Sequence, residues 1–326
     1  MTADVYFRPR RLGHANLWVD DLERSQAFYN EVCGLTVEFS EPDLVATFLG
    51  TGNTPHDLGM IETTGGKARY GRNGLLQIPE GVGASAGLGH LAWELENEVE
   101  LVDAYRRARD ANVPIDMTVD HQVAHSVYLF DPDGNYMEYY CDTVENWRDV
   151  LHGEMELITA SWDPDEGEPC SDTRYDENPE IRVVEEAPVH PSRVTHAVLV
   201  TEDIERLAGF HTSVGGLEEV GRDEDIVYLR ASSTAYSYNL AICNKQNGAA
   251  GYHHVSFELE SVDAVESAEK ALADLGVATE LSVDDETKRS FYLRDPDGFL
   301  SEYCVRRAST FPDLSGAEPR LRPFLV

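Results

Sequence analysis

The chain has 326 residues, 42% of them hydrophobic, with 60 acidic side chains against 26 Lys and Arg and a formal net charge of −34. The length allows two ordinary domains with real cores. The charge argues against nucleic acid and anionic membranes, which need clustered Lys and Arg. No apolar run approaches the ~20 residues of a transmembrane helix, and residues 1–11 carry no apolar signal-peptide core. The five cysteines (Cys33, Cys141, Cys170, Cys243, Cys304) include no Cys-x-x-Cys pair. Reduced thiols in a cytoplasmic protein are therefore expected.

In chain order, residues 12–19 read as a strand and 22–32 as a helix, capped by Asp20 or Asp21 and ended by Gly34. Residues 65–86 are Gly-rich and read as a long loop able to border a site. A helix is expected over 99–111. Residues 127–130 form a strand, Asp131-Pro132-Asp133-Gly134 a tight turn, and 137–141 a returning strand, together a β-hairpin. Residues 147–158 suggest a short connecting helix. Residues 163–186 hold ten acids against Arg174 and Arg182 and read as a solvated linker whose order the sequence leaves open. A second long helix is expected over 262–275, ended by Gly276. The tail from Ala308 closes on Phe324-Leu325-Val326, apolar enough to dock.

The chain repeats itself. Shifted by 182 residues, His14 meets His196, Glu23-Arg24 meets Glu205-Arg206, and Gly34-Leu35 meets Gly216-Leu217. Shifted by 164, His90 meets His254, Tyr128 meets Tyr292, the Asp-Pro-Asp-Gly at 131 meets that at 295, and Glu138-Tyr139 meets Glu302-Tyr303. Four related modules follow, arranged as two pairs. Each opens with a strand, continues with a helix and closes with about three strands, giving an α+β fold of βαβββ units. The expected division is an N-terminal pair over 1–145, an acidic linker over 146–192, a C-terminal pair over 193–307 and a tail over 308–326.

His14 and His90 each stand third in the first strand of their modules, and Glu138 lies on the last strand of module two. A glutamate in so apolar a strand is costly unless paired or metal-bound. If the modules pair side by side, the three converge inside a curved sheet. Two histidines and one carboxylate with open positions form the facial triad of non-haem Fe(II) oxygenases, and Mn(II) suits the same donors. A lone strand histidine is usually structural. Here the set recurs as His196, His254 and Glu302, with the same 48-residue spacing from second histidine to glutamate.

The paired modules and the triad resemble the vicinal oxygen chelate superfamily. Residues 119–138 resemble the signature of its type I extradiol ring-cleavage dioxygenases: His121, a spacer, Val127-Tyr128, two residues, Asp131-Pro132-Asp133-Gly134, then Glu138. The resemblance covers about residues 11–143 and 193–306. It implies two half-barrel domains, with His14, His90 and Glu138 as Fe(II) ligands (Mn(II) as the variant), and a small aromatic diol and O2 as substrates. His56, in Pro55-His56-Asp57-Leu58, falls where the family places its acid–base histidine in a strand of the first module. His121 and Tyr128 would orient the diol oxygens, with Tyr128 a second candidate to take a proton. The family often assembles, so a homo-oligomer is expected.

In familiar two-domain members the C-terminal pair is the active one. Here the counterpart of His56 is Tyr238 and that of His121 is Asp285. The N-terminal half is therefore expected to be catalytic, with the C-terminal triad a metal site without turnover, a site of other chemistry, or a relic. Two rivals remain: a glyoxalase-like metal isomerase or lyase using Glu62 as a fourth ligand, and a non-catalytic small-molecule-binding protein.

Overall fold

A computed structural model describes residues 5–156, 160–233, 236–246 and 249–326. Two large mixed sheets, of ten and eight strands, and one separate two-stranded hairpin are present among the described residues. In the first, the central strands Arg11–Val19 and Gly87–Glu94 pair antiparallel and join modules one and two. Outward from Arg11–Val19 come Leu58–Glu62, Ala46–Gly50, Thr36–Glu41 and the short Gly153–Glu154. Outward from Gly87–Glu94 come Tyr136–Asp142, Ala124–Phe130, Met117–Asp120 and the short Ala160–Ser161. The second sheet repeats this plan around Arg193–Thr201 and Gly251–Glu258. The α+β class, the βαβββ unit and the pairing of modules are as the sequence implied.

Alternation along the strands separates two faces. Ala15, Leu17, Val19, Leu91, Trp93, Met137 and Tyr139 face outward into a continuous core that also takes in the second sheet and the helices. Four helices lie on that side: Leu22–Ala27, extended by a π-helical turn Phe28–Val32, then Glu98–Asp110, Ile204–Ser213 and Val262–Asp274. Their caps are side-chain oxygens, as at Asp21, which accepts from the Arg24 N–H at 2.9 Å. His14, Asn16, Trp18, His90, Tyr128 and Glu138 take the other, concave face.

Several boundaries differ from expectation. The first strand begins at Arg11, so His14 is its fourth residue. The hairpin strands run longer, Ala124–Phe130 and Tyr136–Asp142, around a turn in which Gly134 takes φ +85°. No helix spans 147–158: the described part is a 3-10 turn, Trp147–Asp149, and the edge strand Gly153–Glu154, because the two-residue strand extends the sheet and its edge N–H groups pair there. Residues 157 and 158 lie outside the described residues. The 65–86 loop contains a small hairpin, Arg69–Tyr70 with Leu76–Ile78. The acidic stretch stays largely exposed yet returns to the N-terminal half. Asp165 pairs with Arg106, Glu98 accepts from the Cys170 N–H at 2.7 Å, and Tyr175 lies under the Arg10 guanidinium.

Candidate metal centre

Strand register assembles the N-terminal triad. His14 and Glu138 both stand opposite Ala92, one on each side of the strand Gly87–Glu94, and His90 is two residues from Ala92 on the same face. The small Ala92 leaves room between the longer side chains. His14 Nε2 and His90 Nε2 each lie 3.1 Å from Glu138 Oε2 and 3.3 Å from each other. Three mutually adjacent ligands of a six-coordinate ion, each about 2.1 Å from it, are separated by about 3 Å. The triangle therefore fits a metal ion. His14 and Glu138 are buried and His90 nearly so.

The protonation states fit as well. Burial pushes the His14 pKa down, against the pull of Glu138. Burial also opposes the charge on Glu138, but hydrogen bonds from His14 and His90 outweigh it and hold the carboxyl well below its usual range. A neutral imidazole and an ionised carboxylate are the forms a metal takes. The other Glu138 oxygen accepts from the fully buried Ser126 hydroxyl at 2.6 Å. Sequence reasoning missed Ser126, although it recurs as Ser290.

His56 stands in the loop between Ala46–Gly50 and Leu58–Glu62, not in a strand as expected. Buried Asp57 holds that loop: one oxygen accepts from the Thr51 N–H (2.7 Å) and hydroxyl (2.9 Å), the other from the Val194 N–H (3.1 Å). With the chain fixed in this turn the Pro55-His56 segment pairs with no neighbouring strand. The His56 ring lies tilted against His14, with centroids 4.0 Å apart and planes 42° from parallel, and meets Phe48 edge-on. Among the described residues neither of its buried nitrogens has a partner. Burial, then nearby His14, lowers its pKa well below the usual imidazole value.

His121 and Tyr128 share a 2.9 Å hydrogen bond, and His121 Nε2 lies 3.9 Å from Glu138 Oε1. Burial, then the Glu138 charge, raises the Tyr128 phenol well above its usual range. Tyr128 thus stays protonated at neutral pH.

These groups border a cavity of about 680 Å³. Its walls are mostly apolar: Trp18, Phe39, Phe48 and Ile78, with Val82 and Met117 near the opening. Among the described residues no Lys or Arg lines it, whereas Asp116 does. Ile61 lines the cavity and Glu62, next along the same strand, points the other way. The Glu62 carboxylate accepts from the Leu22 N–H at 3.2 Å.

The C-terminal triad also assembles. His196 and Glu302 flank Ser256 as His14 and Glu138 flank Ala92. Glu302 Oε2 lies 3.3 Å from His196 Nε2 and 3.8 Å from His254 Nε2. Burial lowers the His196 pKa to about 3, against the pull of Glu302.

The profile of the glyoxalase/bleomycin resistance protein/dioxygenase superfamily matches residues 11–139 and 193–303. The chain belongs to this superfamily. Among curated relatives, a catechol-2,3-dioxygenase of Bacillus subtilis is 26% identical over 296 residues, covering 87% of this chain and 93% of that protein. Biphenyl-2,3-diol 1,2-dioxygenase 3 of Rhodococcus globerulus is 31% identical over 160 residues, covering 47% of this chain and 78% of that protein. Among solved structures, the 2,3-dioxygenase LapB of Pseudomonas sp. KL28 superposes with a TM-score of 0.64 at 17% identity, covering 94% of this chain and 96% of that one. An Mn(II)-bound glyoxalase of Novosphingobium aromaticivorans also gives 0.64 at 17% identity, covering 91% and 82%. The superfamily fold is thus shared by dioxygenases and glyoxalases, while both of these curated relatives are aromatic-diol dioxygenases.

Proposed function

We propose that this chain is an extradiol dioxygenase that opens the ring of an uncharged catechol-type diol with O2 at a metal in its N-terminal half. The observation that carries the reading is the tight His14–His90–Glu138 triangle at the wall of an aromatic-lined cavity that also holds His56, His121 and Tyr128. In this reading residues 1–145 are the catalytic half and 193–307 a second half of different role, joined through 146–192. The free cysteines fit a cytoplasmic setting. Glu62, tied to the Leu22 N–H on the opposite face, does not supply the fourth ligand of a glyoxalase-type site.

Fe(II), or Mn(II), held by the triad would supply Lewis acidity toward the diol oxygens and one-electron chemistry toward O2. The chain's own residues do the rest. His56, neutral and with both ring nitrogens unpartnered, takes a proton from the diol and returns one as the carbon–carbon bond beside the hydroxyls breaks. Tyr128, kept protonated, and its partner His121 orient the diol oxygens. Trp18, Phe39 and Phe48 hold the ring and exclude water. A carboxylated diol would meet Asp116 and Glu138 with no Lys or Arg among the described residues to receive it.

The test is anaerobic loading with Fe(II), then O2 uptake and the yellow ring-fission product over a panel of alkyl-, aryl- and carboxyl-substituted catechols. Uncharged catechols are expected to consume one O2 per diol, and carboxylated ones to react more slowly. Absence of O2 uptake with every diol by the iron-loaded protein would contradict the proposal.

A further inference from the structure

The two triads differ in what stands beside the carboxylate. Position 124 is Ala in the N-terminal half, and its counterpart is Lys288. Lys288 is fully buried. Its ammonium, with three N–H groups, lies within hydrogen-bond distance of four oxygens: Glu302 Oε1 at 2.7 Å, the Tyr292 hydroxyl at 3.0 Å, the Phe324 carbonyl at 2.8 Å and the Val326 carbonyl. Tyr292 adds a 2.6 Å hydrogen bond to the same glutamate oxygen.

Those two carbonyls belong to the tail. Residues 322–325 form a helical turn seated on the concave face of the second sheet. The Phe324 ring stands edge-on to Tyr292 and His253, and Val326 is fully buried among Val198, Ile226 and Tyr238. The tail thus covers the triad on the face that in the first sheet borders the 680 Å³ cavity, leaving beside it a pocket of about 330 Å³, lined by Val200, Leu300 and Phe324, that none of the triad residues lines. The place of His56 is taken by Tyr238, whose hydroxyl lies 3.3 Å from His196 Nε2 and accepts from Arg306.

One observation favours a metal here: His254 Nε2 and Glu302 Oε2 are buried and without hydrogen-bond partners among the described residues. Charge weighs against it. A divalent ion would sit beside the Lys288 ammonium and one hydroxyl away from the Arg306 guanidinium, where burial removes screening and only one triad carboxylate is at hand. No Lys or Arg among the described residues lines the N-terminal cavity.

We propose that Lys288 is the resident cation of the C-terminal triad: this site takes no metal ion, and its occupant is the chain's own segment 322–326. The second half-barrel is a sealed counterpart of the first, held shut by one buried ammonium.

The test is the metal content of the full chain, loaded with excess Mn(II) and freed of unbound ion. One ion per chain is expected, one also in His196→Ala, and none in His14→Ala. Two ions per chain, one of them lost in His196→Ala, would overturn the proposal. Lys288→Met supplies a second readout. Stripping Glu302 of its cation is expected to lower the melting temperature by roughly 10 °C, and excess Mn(II) to recover part of the loss by entering the vacated triad. A melting temperature unmoved by the substitution would overturn the role given to Lys288. The His196→Ala count stands even if the Met variant fails to fold. A native chain holding no ion would count against the N-terminal centre instead, and the Lys288→Met melting shift would then decide this inference.

Discussion

Ser126 gives its hydroxyl to the Glu138 oxygen that faces away from the triad's centre, and burial leaves water no chance to replace it. Such partners fix a ligand's orientation, and their loss weakens metal affinity about 10- to 100-fold. Ser126→Ala is expected to fall in that range by metal titration, with Ser126→Thr recovering much of the affinity; unchanged affinity in the Ala variant would show that Glu138 needs no such support. His56 predicts the opposite split. His56→Ala is expected to keep its ion and lose roughly 100-fold or more in turnover, read by metal analysis beside O2 uptake. The two residues also differ in how they announced themselves. His56 stood out because histidine is rare and reactive. Serine is common enough that the recurrence of Ser126 as Ser290 carried no chemical signal until the hydrogen bond was visible. Lys288 was hidden for a similar reason, since one lysine in a strand reads as a solvated side chain.

At the scale of elements, the Asp-Pro-Asp-Gly turns do more than reverse a hairpin. Each reaches into the other half. Asp133 accepts from Arg206 (2.6 Å) and Thr201 (2.5 Å) across the interface, and Asp297 accepts from Arg24, the Asp20 N–H (3.0 Å) and Ser25 (3.2 Å). The turns thus dock on the N-termini of the first helix of the opposite half, where a carboxylate is favoured by the helix dipole. Asp297→Ala is expected to destabilise the fold by about 1–3 kcal/mol, seen as a lower urea midpoint with metal content unchanged; an unchanged midpoint would make the latch ornamental. The hairpin itself was legible because turn chemistry and strand alternation are local. The docking of its turn was not, nor was the loop conformation of His56, which depends on Asp57 bonding to Thr51 and to Val194 in the other half. The edge strand at 153–154 was missed for the same reason: two residues become a strand only because a sheet edge is there to receive them.

Across the whole molecule, repetition made the architecture readable: two offsets, 182 and 164, gave four modules and two triads. The choice of the N-terminal half as catalytic rested on the same comparison, through Tyr238 and Asp285, but where the tail docks was not legible, because Phe324 and Val326 settle on a surface assembled from six distant strands. The acidity of the chain has a half-buried counterpart in Asp142, whose carboxyl is pushed up to about 8, first by desolvation and then by Glu94. A folded pKa above the unfolded one favours the protonated fold. The contribution is fully present below about pH 4 and is lost as pH rises toward 8. Asp142→Asn is therefore expected to be more stable than the native chain at pH 8, with the difference vanishing near pH 4, by denaturant titration at both pH values; a difference independent of pH would contradict the assignment.

Assignment of ring opening to the N-terminal triad stands or falls with O2 uptake from an uncharged catechol by the iron-loaded native chain, His14→Ala and His196→Ala, measured side by side. Uptake is expected in the native chain, none in His14→Ala, and near-native uptake in His196→Ala. Uptake that survives His14→Ala and disappears in His196→Ala would move the active centre to the other half.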